Sequence, residues 1–136
     1  MAFSALILFL LIVPFACADD GENVSIDDDN ATDYYFNINA EIDGDGLKDS
    51  PYSNFTDERI RDNSTVHLAN GEYAFEISRL FNNISFYGEN PQKTILNGNG
   101  NELTINGTVT FQNITLTNFK IVNTANLTAK NVIFTG

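Results

Sequence analysis

From residue 63 onward the chain alternates short apolar runs with turn residues. Residues 66–68, 72–75, 84–87 and 94–96 are rich in β-branched and aromatic side chains, and Asn70-Gly71, Gly88, Pro91 and Asn97-Gly98 separate them. Strand, turn, strand, turn is the predicted order. Residues 34–42 also have a period of two, with Tyr35, Asn37 and Asn39 alternating with Phe36, Ile38 and Ala40. This predicts a first strand that closes the open end of the strand-rich region. Thr56, then Asp57 and Glu58, then Arg59 and Arg61 put acid first and base last, which predicts one or two helical turns over residues 57–61.

Self-comparison adds a repeat. Residues 108–118 match residues 126–136 at an offset of 18, pairing Val109 with Leu127, Asn113 with Asn131, Ile114 with Val132, Leu116 with Phe134 and Thr117 with Thr135. Asn83, Ile84 and Phe86 read in the same register as Asn113, Ile114 and Leu116. Each N-[IV]-x-[LF] unit carries two inward apolar positions, too few to bury a core, and no 3.6-residue period offers a covering helix. Stacked units solve the problem. Parallel strands about 4.8 Å apart bring like side chains into contact, with Ile, Val, Leu and Phe inside and asparagines bonded in ladders at the turns. At roughly 20 residues per coil, residues 63–136 make about three to four coils of an all-β solenoid. A β-sandwich is the competitor, but it gives no reason for a fixed asparagine.

Charge divides the chain differently. Of 18 acidic groups, 14 lie in residues 19–62, whereas residues 63–136 carry four acidic and four basic groups. With a formal net charge of −11 there is no basic footprint for phosphates, and a nucleic-acid partner is not expected. Residues 1–18 are apolar and end in Ala16-Cys17-Ala18 before Asp19-Asp20, the pattern of a secretory signal. The alternative is an uncleaved anchor, although the run spans only about 26 Å as a helix. No later segment approaches membrane-spanning length. Cys17 lies within the signal, so the mature chain has no disulfide. Residues 19–33 read as an acidic disordered tether, and residues 34–62 as a cap of strand, acidic loop and short helix.

Candidate chemistry is sparse. Asp43, Asp45 and Asp49 with Gly44 and Gly46 resemble part of a calcium loop, but no bidentate Glu follows, and an acidic turn is the favoured interpretation. Residues 63–136 contain no Asp, and Glu72 and Glu76 read as surface charges rather than an acid and base pair. His67 has no evident Ser, Cys or Asp partner and reads as structural. Tyr73 and Tyr87 are the aromatics that could stack on a sugar, although a turn or cap residue without ligand is the favoured interpretation of each. No cofactor is expected. Among the Asn-x-Ser/Thr sites, Asn23, Asn30 and Asn54 are the glycosylation candidates, since Asn83 and Asn113 sit in the repeat.

The series Gly44-Asp45-Gly46 through Pro51-Tyr52, Val66-His67-Leu68-Ala69-Asn70-Gly71-Glu72-Tyr73, and Gly88-Glu89-Asn90-Pro91 through Thr94-Ile95-Leu96-Asn97-Gly98 resembles the N-terminal portion of adhesin-like surface proteins of methanogenic archaea. That resemblance covers residues 43–136. It implies a right-handed parallel β-helix of the pectin-lyase-like fold, on a secreted or surface protein that binds carbohydrate or cell surfaces without catalysis. Members of that family plug the first coil with an apolar helix; here only Phe55 and Ile60 offer buried faces. The family's members also run longer, which raises the expectation of a truncated or split reading frame, or of a partner that covers the last coil. A carbohydrate-active enzyme of the lyase or esterase kind, and a surface-layer fragment without ligand, are the alternatives.

Overall fold

The computed structural model describes residues 32–136. The signal at residues 1–18, most of the tether, and Asn23 and Asn30 lie outside the described residues. β1 (Thr32–Phe36) is followed by a single 3-10 turn at Asp57–Arg59, then by β2 (Ser64–Leu68), β3 (Gly71–Ala74), β4 (Arg79–Phe81), β5 (Ile84–Gly88) and β6 (Thr94–Asn97). β7 (Glu102–Ile105), β8 (Thr108–Thr117), β9 (Lys120–Asn123) and β10 (Asn126–Thr135) complete the order. Every pair formed by these strands is parallel, and each strand pairs with the one a coil away. The result is a parallel β-solenoid of about four turns, begun by β2, β5, β8 and β10.

Three faces wrap one core. The first face runs β1, β2, β5 and the first half of β8, the second runs β3, β6 and the second half of β8, and the third runs β4, β7 and β9. β10 continues both halves of β8. Inward positions stack coil over coil. Val66, Phe86 and Phe111 share one column, with the Phe86 and Phe111 rings stacked at 5.3 Å. Tyr73, Leu96 and Leu116 share another, and all six of these residues are buried.

The 18-residue offset is visible as strand pairing. Leu127 lies on Val109, Val132 on Ile114, Phe134 on Leu116 and Thr135 on Thr117. Asn131 Nδ2 donates to Asn113 Oδ1 at 2.8 Å. Asn83 and Ile84 do not share that register. Ile84 pairs with Val109, not Ile114, and the Asn83 amide bonds Asn63 at 3.1 Å. The first-to-second corner of this coil instead carries the insertion of residues 89–93, where Thr115 Oγ1 donates to the carbonyl of Pro91. Asn83 and Asn113 look alike because they do the same local work at different corners. Both are left-handed, at φ 53° and 56°, and both launch a strand whose next residue points inward. Asn63, Asn99, Asn118 and Asn131 are left-handed as well. Gly88 is required for another reason, since any β-carbon there would meet the carbonyl of Asn113 in the next coil.

Other ladders run beside these. Asn106 donates to Asn82 at 2.9 Å and Asn82 to Asp62 at 3.0 Å. Asn118 donates to Asn97 at 3.2 Å and Asn97 to Glu72 at 2.7 Å. Glu72 is thus the first rung of an amide ladder. Asn113→Ala should cost about 2 kcal/mol, combining the left-handed penalty with a lost hydrogen bond. Asn113→Gly keeps the backbone and should lose roughly half of that. Urea midpoints ordered Asn, Gly, Ala from high to low are the expected result, and equal midpoints for Asn and Ala would remove the ladder's role.

The cap departs from the expected pattern in three respects. β1 starts at Thr32, inside the stretch expected to be a tether, and stops at Phe36 rather than continuing to residue 42. The single turn lies within the one or two expected but is 3-10 and stops at Arg59, and Thr56 makes no side-chain cap bond. β1's outer edge is covered, with Tyr35 N donating to Gly46 O and Tyr52 N to Tyr35 O. This is why the chain turns away at Asn37: the loop returning through Gly46 and Tyr52 takes the hydrogen bonds a longer strand would leave open. Phe55 and Ile60 are buried as expected and close the core.

Candidate functional site

β1, β2 and β5 place Tyr35, His67 and Tyr87 on consecutive rungs of the first face. Strand alternation turns all three outward, because Phe36, Leu68 and Val66 occupy the inward positions. Tyr35 and His67 stack at 4.4 Å with 9° between planes, and His67 and Tyr87 at 5.8 Å and 23°. Beside them is a groove of about 380 Å³, walled by Lys48 and Pro51 on one side and by Ala69, Gly88 and Glu89 on the other. That volume is at the small end for a ligand site. The inner ring faces cover one another, so a ligand meets ring edges and the phenol hydroxyls of Tyr35 and Tyr87.

His67 is not the isolated histidine expected from sequence. Its Nε2 is 3.5 Å from Asp33 Oδ1, is buried, and has no hydrogen-bond partner among the described residues. The acidic pattern puts Asp33 in the tether; pairing of β1 with β2 instead sets Asp33 beside Thr65, one diagonal step from His67. A strand that starts two residues earlier is the missing signal, and Thr32-Asp33-Tyr34-Tyr35 carries it only weakly because of its charge. Glu89 also faces the groove, while its Oε2 accepts from Asn70 N at 3.1 Å.

The two tyrosines singled out from sequence separate. Tyr87 lines the groove. Tyr73 is buried, its hydroxyl donating to the carbonyls of Ala69 and Phe36 at 2.9 and 3.2 Å, so it is a core residue rather than a sugar platform. Burial, reinforced by the charge of Glu89, pushes its phenol up to about 12. Tyr73 sits on an inward rung of β3, over Leu96.

In the acidic loop Asp43 and Asp45 are engaged by the protein itself. Arg59 grips both carboxylate oxygens of Asp43 at 2.7 and 2.8 Å, and Asp43 Oδ1 also accepts from the backbone of Ser53 and Asn54. Asp45 Oδ1 caps Leu47 N. Among the described residues no cluster of three or more His, Cys, Asp or Glu is placed to hold a metal. Arg59 also lies 4.1 Å over the Tyr52 ring, which contacts Phe36. The loop is therefore a clasp between cap and core.

The Arg59 guanidinium, followed by the two backbone donors, holds Asp43 well below the usual carboxylate range. A group with a depressed folded-state value contributes its stability above its unfolded value and loses it as pH falls through the folded one. Asp43→Asn should therefore lower the urea midpoint at neutral pH, and the gap to the parent chain should close in strong acid. A gap independent of pH would rule out the ion pair as its source. Chelators should leave the midpoint unchanged.

Asp57 is a carboxyl perturbed in the opposite direction. Burial raises it, against the opposing charge of Arg79; it lies in the cap's single turn, and it does not line the groove. Asn54 is exposed and contributes only backbone groups to the clasp. Asn83, Asn113 and Asn131 hold their ladders, while Ile84, Phe86, Ile114 and Leu116 are core. Val132 and Phe134 stack on the last-coil side, Phe134 being 55% exposed. Among the described residues no helix is long and apolar enough to cross a membrane. Comparison with protein-family models, curated proteins and solved structures found no match for this chain.

Proposed function

We propose that the chain is a secreted or cell-surface, adhesin-like β-solenoid that binds carbohydrate without catalysis in the Tyr35, His67 and Tyr87 groove. The observation that carries this is the outward aromatic stack. Three rings on consecutive rungs expose apolar edges and two phenol hydroxyls unpartnered among the described residues, which suits a sugar's mixture of C–H and O–H groups. The groove is shallow, and its aromatic row is set on strands although its walls include loop residues, so little ordering entropy of the row opposes binding. The apolar leader at residues 1–18 supports export.

Calorimetric titration of the mature chain against a glycan panel tests the reading. Tyr87→Ala and Tyr35→Ala should each weaken the binding glycan roughly tenfold, about 1.4 kcal/mol, with the melting profile unchanged. Unaltered affinity in both variants would move binding elsewhere. A second reading rests on the Asp33 and His67 couple, which could relay a proton in a carbohydrate-active enzyme. New reducing ends that vanish in His67→Ala would favour that reading over the first.

A further inference from the structure

In-register pairing extends the groove into two rows of outward side chains. Tyr35, His67, Tyr87, Gln112 and Lys130 form one row, and Asp33, Thr65, Ser85, Thr110 and Thr128 form the other. At about 4.8 Å per rung the first row runs about 19 Å along the solenoid axis. Two cations stand along it. Lys48 lines the groove by Tyr35, and Lys130 is the rung on β10.

Neither lysine's ammonium group has an ion pair or hydrogen bond among the described residues, whereas Arg59 is taken by Asp43 and Lys120 by Glu102. In a chain of formal net charge −11 carboxylates are abundant, yet among the described residues none is placed on these two ammonium groups. Of the acids near the row, Asp33 faces His67 and Glu89 holds the Asn70 amide. The middle of the row, by contrast, carries no carboxylate or ammonium: rings, the Gln112 amide and three hydroxyls.

We propose that this face binds a linear anionic polysaccharide laid along the solenoid axis. Its carboxylate or sulfate groups are held at Lys48 and Lys130, and the intervening rings lie on the aromatic, amide and hydroxyl rows. This rests on the carbohydrate reading above and adds the charge, direction and minimum length of the ligand. The two cations lie farther apart than the Debye length of about 8 Å at physiological ionic strength. They therefore act independently, and a ligand too short to span the row reaches only one.

The test titrates the full mature chain, at physiological salt, with three linear octasaccharides: carboxylated from alginate, sulfated from heparin, and neutral from mannan. Alginate disaccharide serves as the short probe. Lys48→Gln and Lys130→Gln should each weaken an anionic octasaccharide several-fold, the double variant by the product of the two, and Lys130→Gln, which lies outside the groove, should not alter neutral binding. Lys130→Gln should leave the disaccharide unaffected. The carboxylated and sulfated arms identify which anion is preferred. Equal affinity for neutral and anionic octasaccharides, or a double variant that binds like the parent chain, overturns the inference and leaves the carbohydrate reading standing. No binding of any octasaccharide overturns both.

Discussion

Ile114→Asp should abolish the cooperative β-type melt. Ile114 is fully buried, with Thr94 in the coil beneath and Val132 in the coil above. No cation is among the residues stacked in that column, so the carboxylate must either stay ionised without a partner or take up a proton. Either way the cost is several kcal/mol, comparable with the whole stability of a domain this size. Ile114→Val is the control and should cost only about 1 kcal/mol. Circular dichroism and urea titration check both, and an Asp variant that melts cooperatively near the parent temperature would be incompatible with a stacked core at this position.

Phe55→Ala should cost about 3 to 5 kcal/mol, the range for deleting a buried aromatic ring. Phe55 packs edge-on against Phe36, Tyr73 and Phe75, each at 5.2 Å. It thus ties together β1, the first coil's second face and the corner beyond it. The rings it touches would be left facing a void at the first coil, where among the described residues the short cap is what could move to fill it. Phe55→Leu should recover part of the loss. A fall in urea midpoint with an unchanged slope is the expected signature. A loss below about 1 kcal/mol would mean that the Asp43 and Arg59 clasp, rather than the aromatic plug, closes the end.

The solenoid was legible because its evidence is periodic. Val109 with Leu127 and Ile114 with Val132 are sequence matches that became neighbouring rungs, since stacking forces like residues into like positions. Asn83 misled for a physical reason. The unit it belongs to records how a chain leaves a left-handed corner, and any corner can use it, so the unit alone does not say which face comes next. The unequal coils compounded this, because residues 89–93 lengthen one corner without disturbing the pairing on either side. The groove was half legible. Tyr87 stands out in sequence as a candidate sugar-stacking aromatic, but its companions Tyr35 and His67 become a site only through pairing between β1 and β2, which local pattern does not encode. Tyr73 was misplaced because a tyrosine two residues after Asn70-Gly71 reads as a turn or cap residue, and nothing local says that its hydroxyl finds two carbonyls inside.

The ladders also bear on how such a chain can assemble. Their amides reach back 18 to 25 residues, one coil and no more. Each new coil therefore closes a loop of nearly constant length onto a finished template, and the entropic cost of closure does not grow as the stack lengthens. A protein built this way can be completed in the order in which it is synthesised, with Phe55 and its neighbours supplying the first surface on which the next coil condenses.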